Sequence, residues 1–76
     1  MNVTLTRVHE NLFAGEAASL TVPTVDGELT ILSNHEPLVS TLKEGTITVR
    51  TADGQQTFLA TSGVLEISNN QVTVLL

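Results

Sequence analysis

Two histidine–carboxylate neighbours, His9-Glu10 and His35-Glu36, a lone lysine at position 43, a Ser62-Gly63 pair and eight acidic side chains are the chemically capable groups of this 76-residue chain. Histidine beside carboxylate is the raw material of a metal site or of acid–base catalysis. The spacing supports neither. Adjacent residues on a strand point to opposite faces, the helical His-Glu-x-x-His frame is missing, and a tetrahedral metal site needs three or four convergent ligands. Ser62-Gly63 lacks the Gly-x-Ser-x-Gly frame of a nucleophile elbow and reads as a bulged turn. Gly27 and Gly54 are followed by no helix whose amino-terminal dipole could hold a phosphate. The carboxylates read as solubilising charge. No catalytic residue, metal or cofactor is expected.

What positions these groups is a run of short strands. Period-two alternation dominates, as in Val3-Thr4-Leu5-Thr6, Thr46-Ile47-Thr48-Val49-Arg50 and Val72-Thr73-Val74, and β-branched residues outnumber helix formers. Further strands are expected at Ala18 to Val22, Glu28 to Leu32, Leu38 to Leu42, Gln55 to Ala60 and Val64 to Ser68, with a short run around Leu12 to Ala14. Asp53-Gly54 and Asn69-Asn70 tolerate the positive φ of tight hairpin turns. Gly15, Gly27, Gly45 and Gly63 mark other bends, and Pro23, lacking an amide hydrogen, belongs at a strand end or edge. Turns recurring roughly every eight to ten residues predict an all-β fold, a two-sheet β-sandwich or flattened barrel of about nine or ten short strands, spanning residues 1–76 as a single domain. Its core is predicted to hold Val3, Leu5, Leu20, Val22, Leu29, Ile31, Ile47, Val49, Phe58, Leu65, Ile67, Val72 and Val74. Thr4, Thr6, Thr30, Thr46, Thr48 and Thr73 then face outward. They are either ordinary exposed strand residues or a docking surface from which charge has been depleted.

Composition narrows the function classes. A domain this small buries only roughly 60% of the surface of its unfolded chain. With no Trp, Tyr or Cys and only Phe13 and Phe58 as aromatics, its core must be aliphatic, without disulfide support. Burial against a partner is the natural supplement. Net charge of −5 repels phosphate backbones and anionic lipid headgroups, which argues against nucleic acid and direct membrane insertion. No stretch approaches the roughly 20 apolar residues of a spanning helix, and the start resembles no secretion signal, so a soluble, cytoplasmic chain is expected.

The order Leu12-Phe13-Ala14-Gly15-Glu16, Leu20-Thr21-Val22-Pro23, Gly27-Glu28-Leu29-Thr30-Ile31-Leu32-Ser33-Asn34-His35-Glu36-Pro37-Leu38 and Leu42-Lys43-Glu44-Gly45 closely resembles the epsilon subunit of F-type ATP synthases. Ser62-Gly63-Val64-Leu65-Glu66-Ile67 and Asn70-Gln71-Val72-Thr73-Val74-Leu75 continue it, so that the likeness covers essentially every residue. The resemblance implies the amino-terminal β-sandwich domain of a non-catalytic rotor subunit. Such a domain sits at the foot of the central stalk, packed on the gamma subunit and touching the polar loops of the c-ring. There it would couple proton translocation to ATP synthesis on the cytoplasmic face of the energy-transducing membrane. Stiffness, not chemistry, is its contribution. Carried over residue by residue, Glu28 falls on the c-ring contact, and His35, Pro37 and Ser40 fall on the gamma-facing surface. Arg7 either lies near that surface or is a solvated charge.

The chain departs from the family pattern at Thr30, where glycine is frequent, and at Ser33-Asn34, where Pro-Gly is frequent. Glu36 replaces a small alanine and must face solvent or alter the gamma contact, because an unpaired buried carboxylate is costly. Ser62 replaces the first glycine of a pair. The sequence stops at Leu76, before the carboxy-terminal helical hairpin of most members, as either a truncated or a naturally short chain, so inhibition of ATP hydrolysis and ATP binding, which the family associates with that hairpin, do not carry over. An alternative from another class is a biotinyl- or lipoyl-type carrier domain using Lys43, although the small or methionine neighbours of such sites are missing. An adhesion or ligand-binding sandwich ranks last.

Overall fold

The alternating pattern resolves, in the computed structural model, into strands covering most of the chain, and the structure describes all of residues 1–76. The strands are β1 (Asn2–Arg7), β2 (Glu10–Glu16), β3 (Ser19–Thr24), β4 (Gly27–Leu32), β5 (Leu38–Leu42), β6 (Gly45–Thr51), β7 (Gly54–Ala60), β8 (Gly63–Ser68) and β9 (Gln71–Leu75). No helix forms. The run expected around Leu12 to Ala14 is a full strand of seven residues, because β2 pairs with β1 along its whole length and Leu12 is the extra residue of a bulge between Leu5 and Thr6.

Hydrogen bonding arranges the strands as β2-β1-β9-β8-β5 and β4-β3-β6-β7, two layers joined where Thr24 of β3 pairs with Leu42 of β5. The sandwich is therefore one continuous ladder bent over on itself. At the joint, the Val25 N–H donates to Thr41 O at 3.1 Å and the Lys43 N–H donates to Pro23 O at 2.9 Å. Pro23 lies near the end of its strand, as expected, but that strand is central and not an edge. Its missing N–H does no harm because the neighbour of β3 changes there from β6 to β5. Gly45 fits beside it for want of a side chain, since a Cβ would lie 2.7 Å from Pro23 Cβ. β1 and β9 pair in parallel, from Asn2 with Gln71 to Thr6 with Leu75, so the first and last strands close the first layer together.

Two turn chemistries join three of the four hairpins, and the β1–β2 turn at Val8-His9 has His9 at φ 65°. Asn69 and Asn70 both take positive φ (50° and 61°), as a tight two-residue turn between twisted strands demands. Asp53-Gly54 works differently from expectation: the turn centres on Ala52 and Asp53, and only Gly54 has positive φ, at 132°. Thr24-Val25-Asp26-Gly27 repeats that device. In each, the threonine hydroxyl accepts from the aspartate N–H at 3.2 Å and donates to the glycine carbonyl, at 2.6 Å for Thr24 and 3.3 Å for Thr51.

One core serves both layers. Eleven of the expected core residues are buried, whereas Leu29 and Phe58, on the edge strands β4 and β7, are only half-buried and pack against the core that Ile31 and Ala60 of the same strands enter. Met1, Ala17, Leu42 and Ala60 complete the apolar set, and Thr24 is its one buried polar residue, satisfied by its turn.

Candidate functional site

Strand register sorts the surface into two ends and two outer faces. One end gathers the β1–β2 and β3–β4 turns, the Lys43-Glu44 connection, Thr61-Ser62 and Leu76. Glu28 lies here, exposed, two residues beyond the Val25-Asp26 turn and opposite Pro23. Glu10, Asp26 and Glu44 share this end with it, against Arg7 and Lys43. It is an acidic tip. Arg7 is held there by a hydrogen bond from its Nη2 to Leu59 O at 3.3 Å and lies away from His35.

The six residues of β4, about 20 Å of extended chain, carry the backbone from Glu28 to the other end, where the 33–37 connection meets the Asn69-Asn70 turn. Asn34 takes φ 64°, so asparagine does serve where the family often has glycine, and its N–H donates to Asn70 Oδ1 at 2.8 Å. His35 is half-buried, with Nδ1 2.8 Å from Glu36 O. A carbonyl can only accept, so Nδ1 carries the hydrogen and Nε2 is left for another partner. Glu36 and Pro37 are exposed. Glu36 thus takes the solvent-facing alternative. Pro37 fixes φ just before β5. At this end too, the amino group of Met1 meets Glu16 Oε2 at 3.2 Å, Ala17 O at 3.3 Å and Ser33 Oγ at 3.3 Å. An open depression of about 610 Å³ beside it is lined by Met1, Glu16, Arg50, Asp53 and small residues.

Ser40 shares the inward parity of Leu38 and Leu42 and is half-buried, whereas Val39 and Thr41 face out. Val39 pairs with Glu66, Thr41 with Val64, and Val64 in turn with Leu75, which lies beside Thr6 of β1. The outer face of the first layer therefore presents a row of Thr41, Val64, Leu75 and Thr6 with no charge. Beside it runs a row of Val39, Glu66, Thr73 and Thr4 with one. Val39 is 69% exposed, Leu75 52% and Val64 42%. The expected site holds His35, Pro37 and Ser40 together along the start of β5 and sets Glu28 apart from them. Sequence reasoning missed Val39, Val64 and Leu75. Their outward parity was legible, but their adjacency depends on non-local pairing. No group of three or more His, Cys, Asp or Glu side chains converges. Lys43 occupies a crossover between two strands that do not pair with each other, unlike the hairpin lysine of a carrier domain.

The family model of the ATP synthase delta/epsilon chain β-sandwich domain matches residues 1–76. The ATP synthase epsilon chain of Bordetella petrii is 40% identical over 99% of this chain and 54% of its own length, and that of Delftia acidovorans is 37% identical over 99% and 55%. The chain thus spans about half the length of the curated relatives it matches. Among solved structures, a chain of the Euglena gracilis mitochondrial ATP synthase, in its OSCP/F1/c-ring assembly, superposes with a TM-score of 0.88 at 28% identity. It covers 96% of this chain and 48% of that one. A chain of the Tetrahymena thermophila central stalk and c-ring shares the fold, with a TM-score of 0.84 at 21% identity, over 99% and 61% of the two chains. A match across every residue, with the same sandwich in the solved assemblies, leaves one conclusion: the chain belongs to the ATP synthase delta/epsilon family and forms the amino-terminal β-sandwich domain of an epsilon chain.

Proposed function

We propose that this domain is a non-catalytic part of the ATP synthase rotor, docking on the gamma subunit through the outer face of its first layer and on the c-ring through its acidic tip. The observation that carries the reading is the pairing of Val64 with Leu75, flanked by Val39, Thr41 and Thr6, on a face whose two central rows contain a single carboxylate. Charge depletion around exposed aliphatic side chains is the signature of an interface centre. His35 and Pro37 border this face at the start of β5, and Ser40 supports it from the core side. Partner burial also answers the deficit of a small aliphatic core.

Glu28, with Asp26, Glu10 and Glu44 around it, suits a polar c-ring loop that offers cationic or hydrogen-bond donor groups. Between the two surfaces runs a sheet with no helix and no long loop, which transmits torque with little bending. Coupling of proton translocation to ATP synthesis, on the cytoplasmic face of the membrane, follows from that position. The carrier alternative at Lys43 is set aside on the whole-chain family match.

Mixing the 76-residue chain with its cognate gamma subunit tests the reading. A one-to-one complex by size-exclusion chromatography with light scattering is expected. Failure to bind a folded gamma subunit would count against it.

A further inference from the structure

Four strands end the two layers, and they are not protected alike: β5 follows Pro37 and is joined to β3 through Leu42 and Thr24, which leaves β2, β4 and β7. β2 carries Glu10 and Glu16 and β4 carries Glu28, but β7, Gly54-Gln55-Gln56-Thr57-Phe58-Leu59-Ala60, has neither charge nor proline. An exposed edge is a row of unpaired N–H and C=O groups, which proteins ordinarily blunt with charge, proline or a bulge. On β7 the hydrogen bond from Arg7 to Leu59 O shows which way the free groups point, since that carbonyl faces away from β6. Alternation along a strand puts the N–H and C=O of Gln55 and Thr57 on the same side. No other strand and no backbone bond outside the β6 ladder reaches them.

We propose that this edge is a self-association surface, where two copies pair β7 with β7 antiparallel about a two-fold axis at Thr57. Their four-stranded layers then become one eight-stranded sheet. The register argues for a second copy as the occupant. Thr57 meets Thr57 and Gln55 meets Leu59, so no like charges face each other in a chain whose net charge of −5 otherwise repels its own kind. Asp53, two residues before Gln55, falls opposite Thr61 of the second copy, two residues from the Leu59 carbonyl that Arg7 holds, and symmetry makes this opposite-charge approach occur twice. Side chains continue across the join as well. Thr30, Thr21, Thr48 and Thr57 stand in one row across β4, β3, β6 and β7, with Thr21 and Thr30 hydroxyls 3.0 Å apart, and the two-fold axis extends that row through both copies. The outer face of the first layer stays open, so this association leaves the gamma docking proposed above unobstructed.

Sedimentation velocity over a dilution series of the 76-residue chain, with amide hydrogen exchange, tests it. The average mass rises towards two copies with concentration, and exchange slows at Gln55, Thr57 and Leu59 while Gln56 and Phe58, already in the β6 ladder, stay unchanged. Thr57→Pro removes an outward N–H without breaking that ladder, and Thr57→Lys sets two cations face to face. Each abolishes the concentration dependence while circular dichroism remains that of the folded chain. Arg7→Asp weakens the dimer and Arg7→Asp with Asp53→Arg restores it. A monomer at every concentration overturns the proposal. So does a dimer indifferent to both Thr57 substitutions, or one lost instead on Val64→Lys.

Discussion

Glu28 and Gly63 show how differently single residues bear on this domain. Glu28 is exposed, has no hydrogen-bond partner of its own and contributes nothing visible to the fold, so its carboxylate is free for an outside partner. Glu28→Lys is expected to leave the melting temperature unchanged and to reduce the fraction of chain that cosediments with reconstituted c-rings. Equal cosedimentation would remove Glu28 from that interface. Gly63 is the opposite case. Its φ is 157°, and a Cβ there would lie 2.5 Å from the Leu75 carbonyl oxygen and 3.0 Å from Leu76 Cδ2. Backbone does not yield as a side-chain tip would. Gly63→Ala should therefore cost about 1–3 kcal/mol in urea denaturation, whereas Ser62, exposed beside it, tolerates alanine. The altered glycine pair thus loses only its dispensable member.

Strand by strand, the arrangement separates what holds the sandwich together from what it offers. β8 and β9 pair from Val64 with Leu75 to Ser68 with Gln71, burying Leu65, Ile67, Val72 and Val74 on one side. The opposite parity is left to present Val64 and Leu75. Val64→Lys, which keeps every ladder bond, is expected to retain the cooperative melt yet lose the gamma complex in the mixing experiment. Persistence of that complex would move the interface elsewhere. Three of the four hairpins are held by local devices, the two Thr-x-Asp-Gly turns and the left-handed Asn69-Asn70, and these lie outside the proposed gamma and c-ring contacts with the exception of the turn beside Glu28.

At the scale of the whole molecule, a single aliphatic core stabilises every strand, so damage at its centre is global. Leu5 is fully buried on β1, between β2 and β9. Leu5→Ala should remove about 3–5 kcal/mol, a large share of the roughly 5–15 kcal/mol by which such domains are stable. The urea midpoint should fall accordingly, with one transition reported by both circular dichroism and phenylalanine-region signals. A loss confined to the β1–β2 hairpin would contradict a single shared core. Parallel pairing of the first and last strands adds non-local closure, which places folding among the slower, millisecond-to-second class of small domains.

Period-two alternation sufficed to locate the strands, and eleven buried residues follow from parity alone, because which side of a strand a residue occupies is a local property. Asn69-Asn70 and the motif around Glu28 and His35 were equally legible, being short chemical signatures. Neighbourhood was not. That Val64 lies beside Leu75, that Glu28 and His35 sit at opposite ends, that Pro23 occupies a central strand and that β7 is an edge touched only by Arg7 all depend on which strands pair across long stretches of chain. Leu29 and Phe58 fit the inward pattern yet end half-buried while Ile31 and Ala60 on the same edge strands are buried, since how far an edge strand reaches under the opposite layer is a property of the packing and not of the strand. Sequence alone determined the strands and the family; only the packing of the layers decided which outward residues form a surface, because pairing is settled by the global burial of one core.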